Sequence, residues 1–290
     1  TGETALTSEA PLFYAQTSGT TGRPKYIPVT STSLAIHRAE QALFSYLQYR
    51  SCPEAYSGMA MGIMGAAVEG HLDSGHAVGS VSGHLYRSLP RFLQSRFVVP
   101  PAVSNISDYD VRYQMILHLA LAQPNITYMG SPNPTTFVRL LGLLNSRRAL
   151  LLQALATGIS DEVARLEPSL RATIAPRLKA LPHRAARLAQ LPELTLANTW
   201  PNLKLLTTWT GGSCGIALGA LRRTLPEGTR VMELGYQATE CRGTIPIEAE
   251  DPGGLPPLHH SFFEFVEQTQ WDLGRPNFLT LDQLQRGPLY

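Results

Sequence analysis

The chain has 290 residues, of which 43% are apolar and only 16% charged, with a net charge of +2. That length can bury a full α/β core, and a charged fraction below the usual quarter leaves a surface suited to a covering partner or a further domain. The weak net charge argues against nucleic-acid or membrane binding, and no apolar run is long enough to span a bilayer. Cys52, Cys214 and Cys241 are odd in number and far apart, which excludes a disulfide framework or a CxxC metal knuckle and fits a reducing cytoplasm.

Leu12 to Gln16 reads as a strand, and Tyr26-Ile27-Pro28-Val29 as a second one that Pro28 keeps at a sheet edge. Between them runs Thr17-Ser18-Gly19-Thr20-Thr21-Gly22-Arg23-Pro24-Lys25. Glycines permit positive φ and close approach of backbone N–H groups to an anion, hydroxyls add donors, and Lys25 adds charge, so the loop suits triphosphate oxygens. It lacks the Gly-Lys-Ser/Thr of a Walker loop and the spaced glycines of a dinucleotide fingerprint. Thr30 or Ser31 then caps a helix in which Leu34, Leu43, Phe44 and Leu47 form one apolar face. Met59 to Met64 suits a buried strand, and Val68 to Leu85 reads as a loop rich in Gly, Ser and His. The apolar period predicts a helix over Asp108 to Ala122 and a strand over Ile126 to Met129, with Ser131-Pro132-Asn133-Pro134 starting the next helix.

From about residue 145 to 191 the composition shifts to Leu, Ala and Arg, with Pro168, Pro176 and Pro182 breaking the pattern into short helices that form an insertion beside the sheet. Its basic residues Arg165, Arg171, Arg177, Lys179, Arg184 and Arg187 read as a solvated helix face. After Trp200-Pro201, Leu203 to Trp209 is a strand, Thr210 to Gly215 a tight loop, Ile216 to Thr224 a helix, and Arg230 to Leu234 a strand ending at Gly235. Such alternation predicts a mostly parallel sheet with ligands at the carboxyl ends of its strands. There stands Gly235-Tyr236-Gln237-Ala238-Thr239-Glu240: a ring able to stack on adenine, a hydroxyl for the α-phosphate and a carboxylate for magnesium.

The glycine-rich loop resembles, at every position, the phosphate loop of the adenylate-forming superfamily. Together with Trp200-Pro201-Asn202-Leu203-Lys204, Thr210-Gly211-Gly212, Gly235 to Cys241 and Phe262-Phe263-Glu264-Phe265, the chain is similar to the auxin-responsive Gretchen Hagen family of acyl acid amido synthetases. The resemblance runs from Thr17 to about Val266. It implies an α/β fold, the N-terminal domain of an adenylate-forming enzyme with mostly parallel sheets flanked by helices. Residues 1–290 would be a partial adenylation domain, with the carboxyl-terminal lid of the same polypeptide and the ribose-binding Tyr/Arg-x-Gly-Asp element lying beyond Tyr290.

The resemblance also implies ATP and Mg2+, with a small carboxylic acid and an amino acid as substrates that are joined through an acyl-adenylate. Carried over residue by residue, the phosphate role falls on Thr17, Ser18, Gly19, Thr20, Thr21, Gly22 and Lys25, of which Lys25 and Thr20 would act in catalysis. The adenine and α-phosphate role falls on Gly211, Gly212, Gly235, Tyr236, Gln237, Ala238 and Thr239, and Glu240 would hold magnesium. The acyl pocket would lie where the Asp108 to Ala122 helix meets Leu258 to Phe263, on Met115, His118, His260, Phe262 and Phe263, although His118 reads equally as a core histidine.

Other readings stand beside it. Gly211-Gly212-Ser213-Cys214-Gly215 satisfies the nucleophile-elbow pattern of a serine esterase, with Asp251 and His259 or His260 following in triad order. His71, Asp73 and His76 offer three metal ligands with no fourth. An acyl-CoA ligase shares the first two motifs, and a nucleotide-binding module without catalysis would need no more than they provide.

Overall fold

The computed structural model describes residues 7–17 and 25–290. In chain order the elements are strands β1 (Phe13–Gln16) and β2 (Tyr26–Val29), helix α1 (Ser31–Ser51), strands β3 (Met59–Gly62), β4 (Gly70–His71) and β5 (Ala77–Gly79), helices α2 (Val81–Arg87), α3 (Arg91–Gln94) and α4 (Tyr109–Leu121), and strand β6 (Ile126–Gly130). Helices α5 (Thr135–Ser146), α6 (Arg148–Thr157), α7 (Asp161–Ala164), α8 (Pro168–Ile174), α9 (Pro182–Ala189) and α10 (Leu196–Thr199) lead to β7 (Leu205–Thr208), α11 (Cys214–Arg222) and β8 (Arg230–Glu233). Strands β9 (Ile245–Pro246) and β10 (Gly254–Leu255) and helix α12 (Gln268–Asp272) follow.

The main sheet is wholly parallel, in the order β3-β6-β7-β8. Side chains alternate between its faces, as the two-residue period of a strand requires. Met61, Met129, Leu206 and Val231 join the apolar faces of α4, α5, α6 and α11 in the larger core. Leu205, Met232 and Tyr128 point the other way, against Phe44 of α1 and Ile245 and Ala249. The sheet is therefore sandwiched between a helical layer and α1, and both faces are apolar, as parallel sheets demand. A second sheet, β2-β1-β5-β4, contains the β1–β2 hairpin, with β2 and its Pro28 at the edge.

Helix α1 starts where the sequence places it. The Thr30 hydroxyl accepts from Ser33 N at 3.2 Å and Ser33 Oγ answers at Thr30 N, a reciprocal cap. Its buried face is different from the expected one. Leu43 is 40% exposed and Leu47 half-buried, while Leu34, Glu40, Phe44 and Gln48 turn inward. The cause is the sheet beneath: Gln48 Nε2 donates to Thr207 Oγ1 at 2.8 Å and to Tyr128 Oη at 3.2 Å, partners that only the fold supplies.

The segment Val68 to Leu85 is not a loop throughout, since it contains β4, β5 and the start of α2. Glycines that look like turn signals serve close approach there: a Cβ on Gly79 would sit 2.0 Å from the Ala67 carbonyl oxygen. Strand β7 and helix α11 also start differently from expectation, at Leu205 and at Cys214. Between residues 145 and 191 the chain forms short helices broken at Gly158, whose φ is 71°, and restarted at Pro168 and Pro182. One of its basic residues is not on a solvated face. Arg184 is 9% exposed and donates to Leu121 O at 2.8 Å and Thr199 O at 2.9 Å, so it satisfies carbonyls at the ends of α4 and α10.

Candidate functional site

The carboxyl ends of β6, β7 and β8 are tied into one rim. Glu233 at the end of β8 accepts from Thr210 N at 2.7 Å, from the Thr210 hydroxyl, and from the N–H groups of Leu234 and Gly235 at 2.9 and 3.1 Å. Trp209 donates its indole N–H to Gly235 O at 3.0 Å and its backbone N–H to Pro132 O at 2.9 Å. One carboxylate and one indole thus fix the loop after β7 against the loop after β8. Gly211, Gly212 and Ser213 lie exposed on that rim.

Gly235 turns the chain with φ 84°, and a Cβ there would lie 2.4 Å from Thr244 O. Tyr236 follows, its N–H donating to Thr244 Oγ1 at 2.9 Å and its carbonyl accepting from Gly243 N at 2.8 Å. The Tyr236 ring lies over Gly243, where a Cβ would come within 2.3 Å of a ring carbon, and it remains 67% exposed. Ala238 N donates to Cys241 O at 2.9 Å, a tight turn that leaves Thr239 half-buried and Glu240 exposed. A ring, a hydroxyl and a carboxylate are therefore presented in sequence from a braced turn.

Of the glycine-rich loop, Ser18, Gly19, Thr20, Thr21 and Gly22 lie outside the described residues. Its neck is described. Thr17 N donates to Lys25 O at 3.0 Å, and Lys25 N donates to Thr17 Oγ1 at 3.0 Å, which closes the base of the loop and leaves Lys25 exposed.

Helix α1 joins the two motifs. It begins just past the hairpin and receives Arg242, which follows the Tyr236 to Cys241 turn. The Arg242 guanidinium is 4.6 Å from the centre of the Phe44 ring, donates Nη2 to Gln41 Oε1 at 3.3 Å, and with the Gln237 amide oxygen turned toward it donates Nε at 3.2 Å. It is only 5% exposed, and burial pulls its pKa down to about 10.

Beside it lies a cluster that the motifs do not reveal. Glu40 is 2% exposed and neither carboxylate oxygen has a hydrogen-bond partner. His260 Nδ1 stands 3.6 Å from Glu40 Oε1, and it too is unpartnered, as is Arg242 Nη1. Burial pushes the Glu40 carboxyl above the usual carboxylate range, while burial and then the Arg242 charge push His37 below the usual imidazole value. Two signals point to this cluster: the four-residue spacing of Glu40, Phe44 and Gln48 on α1, and the position of Arg242 directly after the Tyr-x-x-Thr-Glu-Cys run.

The proposed acyl-pocket residues are not brought together. Met115 is 0% exposed within the helical core, and His118, 6% exposed, has its imidazole pushed down by burial. Both sit on α4, which covers one face of the main sheet, whereas His260 lies against α1 on the other. Phe262 is 79% exposed and Phe263 lies beside Phe265, with ring centroids 6.4 Å apart. The parallel sheet itself separates the two groups.

No triad forms around Ser213, which has ordinary helical backbone at φ −62°, ψ −20° rather than a strained elbow. Asp251 Oδ1 accepts from Gly253 N at 2.8 Å, and His260 faces Glu40. His76 Nδ1 pairs with Ser74 Oγ at 3.0 Å, and among the described residues no group of three His, Cys, Asp or Glu could hold a metal. Among the described residues no helix is long and apolar enough to cross a membrane.

The family model described as the GH3 family N-terminal domain matches residues 1–229. Two solved structures resemble the whole chain: a GH3.15 acyl acid amido synthetase, with TM-score 0.79 and 18% identity over 97% of this chain, and the same enzyme in complex with 2,4-DB, with TM-score 0.82 and 18% identity over 97%. The chain spans 49% and 50% of their lengths. No curated protein matches it in sequence. At this identity the likeness concerns the fold, an α/β domain with a parallel sheet flanked by helices.

Proposed function

The chain belongs to the GH3 family, and from that premise we propose that it carries out ATP-dependent activation of a carboxylic acid to an acyl-adenylate, followed by transfer of the acyl group to the amine of an amino acid. One observation carries the reading: Tyr236 is held open on Gly243, with Thr239 and Glu240 on the same braced turn, at the carboxyl end of a parallel sheet where ligands bind. The donor set suits a magnesium nucleotide, with an aromatic face for adenine, a hydroxyl for phosphate and a hard, exposed carboxylate for the ion.

Bound MgATP would supply the electrophilic α-phosphorus and the pyrophosphate leaving group. Tyr236 would stack on the base, Thr239 would orient the α-phosphate, and Glu240 would hold the cation. Lys25, and Thr20 by the resemblance of the glycine-rich loop, would offset the charge that grows on the departing pyrophosphate. No covalent nucleophile is needed, because alignment and charge stabilisation account for the acceleration. The solved relatives are about twice as long as this chain, so a further domain of the same polypeptide is proposed to complete the site. Three free thiols accord with a cytoplasmic setting.

The test is carboxylate-dependent exchange of labelled pyrophosphate into ATP, with a panel of aromatic and aliphatic acids, on this chain and on the complete product of its gene. Exchange with any acid establishes adenylation. Amide formation from the same acid, against thioester formation with coenzyme A, separates the amido synthetase from a CoA ligase. ATP binding without exchange for any acid in either protein overturns the proposal.

A further inference from the structure

We propose that a cavity at the carboxyl end of β3 is a second ligand site, apart from the nucleotide motifs, and that it takes a short aliphatic carboxylate. Its floor is apolar: Ile63 and Met64, the two residues that follow β3, together with Val103 and Ile116. Ile63 N donates to Gly130 O at 2.9 Å, which carries the ladder one residue past β3 and fixes that floor. Ser104 closes one side by donating its hydroxyl to Met64 O at 3.0 Å. Tyr109, Arg112 and Tyr113, from the start of α4, form the mouth, where Tyr109 is 59% exposed.

The mouth is held open by its own contacts. The Arg112 guanidinium carbon is 4.6 Å from the centre of the Tyr109 ring and that of Arg139 is 4.9 Å from the Tyr113 ring, so neither ring drops in to fill the space. Arg112 Nε donates to Ile106 O at 2.7 Å, which anchors one edge of the guanidinium and leaves the Nη edge without a partner among the described residues. Asp110 pairs with Arg139 at 3.0 Å, Asp108 Oδ1 accepts from the N–H groups of Asp110 and Val111, and no described carboxylate pairs with Arg112.

These groups select the ligand. Two Nη donors held in a plane match the two oxygens of a carboxylate, and a neutral ligand would leave the charge unanswered. The cavity measures about 50 Å³, room for about three or four groups at roughly 10–15 Å³ for each water-sized one, whereas benzene occupies an engineered cavity of roughly 150 Å³. The tail is therefore a short aliphatic chain and not a ring. Strand order puts β3 and β8 at opposite edges of the main sheet, three strand spacings or roughly 14 Å apart. An acid bound here lies beyond bonding reach of an α-phosphorus held at Thr239, so it is not the acid being activated. The inference rests on the proposed activity for that distinction alone.

Titration of the protein with isovalerate, followed by saturation-transfer NMR without nucleotide, tests it against isovaleramide, which lacks the charge, and benzoate, which carries a ring. Isovalerate is expected to bind, the other two at least fivefold more weakly, and Arg112→Met to weaken isovalerate at least tenfold. Should Arg112→Met fail to fold, Arg112→Lys takes its place, with an expected loss of at least threefold because an ammonium lacks the planar fork. Absence of isovalerate binding, equal binding of isovaleramide or benzoate, or an unaltered affinity in the Arg112 variant overturns the site. Binding here needs neither ATP nor turnover. Failure of pyrophosphate exchange therefore leaves this site standing, and exchange without Arg112-dependent isovalerate binding removes it alone.

Discussion

Glu233 shows how much of the rim depends on one side chain. Its carboxylate accepts four hydrogen bonds from Thr210, Leu234 and Gly235, and of these donors the Leu234 N–H also reaches Thr208 O at 3.1 Å. Glu233→Ala leaves the Thr210 and Gly235 N–H groups without that acceptor at a cost of about 2–4 kcal/mol, since donors shielded from water lose solvation they do not regain. At this chain length that lowers the melting temperature by about 3–7 °C. Glu233→Gln, whose amide oxygen still accepts, falls by less, and calorimetry of the two variants checks the order. Glu40 has the opposite sign. Its folded pKa lies above the ordinary 4.5, so its contribution to stability is complete below that value and is lost as pH rises through the folded one. Glu40→Gln should therefore melt with the parent near pH 4 and above it at neutral pH. A parent equal to or more stable than the variant at neutral pH would show that the carboxylate is paired after all.

Among the elements, two glycines on one turn separate folding from presentation. A Cβ on Gly235 meets the backbone oxygen of Thr244 at 2.4 Å and inherits a φ of 84°, so Gly235→Ala costs about 1–2 kcal/mol from the backbone alone. The three atoms nearest a Cβ on Gly243 all belong to the exposed Tyr236 ring, which can swing aside. Gly243→Ala is expected to keep its melting temperature within a few degrees while losing adenine-nucleotide affinity by tenfold or more, measured by calorimetric titration. Unchanged affinity would remove Tyr236 from the nucleotide site. The elements themselves were readable because strands and helices carry their own periods and because Thr30 is a visible cap. The inward face of α1 was not readable. Leu43 and Leu47 outrank Glu40 and Gln48 in hydropathy, yet Tyr128 and Thr207, far along the chain, decide which residues turn inward. Arg184 was misplaced for the same reason, since its partners are the carbonyls of α4 and α10.

Across the whole molecule, the order of the glycine-rich loop and the Tyr-x-x-Thr-Glu run and the alternation of strands and helices were enough to read the parallel sheet, because both are local in sequence. The acyl pocket was not, because its residues were drawn from opposite faces of that sheet. Beyond Pro257 no residue is buried, and Phe262, Trp271, Leu273, Phe278 and Leu289 are all more than half exposed. In hydrogen exchange, amides from 258 to 290 should therefore exchange well before those of β6, β7 and β8, in keeping with their lack of core contacts. Equal protection would mean that the segment is covered by something else, such as a second copy.

Strand order in the main sheet repeats sequence order, so each strand can add to its predecessor as the chain leaves the ribosome. Helix α1 cannot join them at once. Gln48 meets Thr207 across 159 residues and Gln41 meets Arg242 across 201, an interval of about 10–40 s at ordinary rates of synthesis. During that time the inward face of α1 is open to the cell. Glu40 and Gln48 break up what would otherwise be an apolar stripe around Phe44, and they keep the nascent helix wettable until its cover arrives.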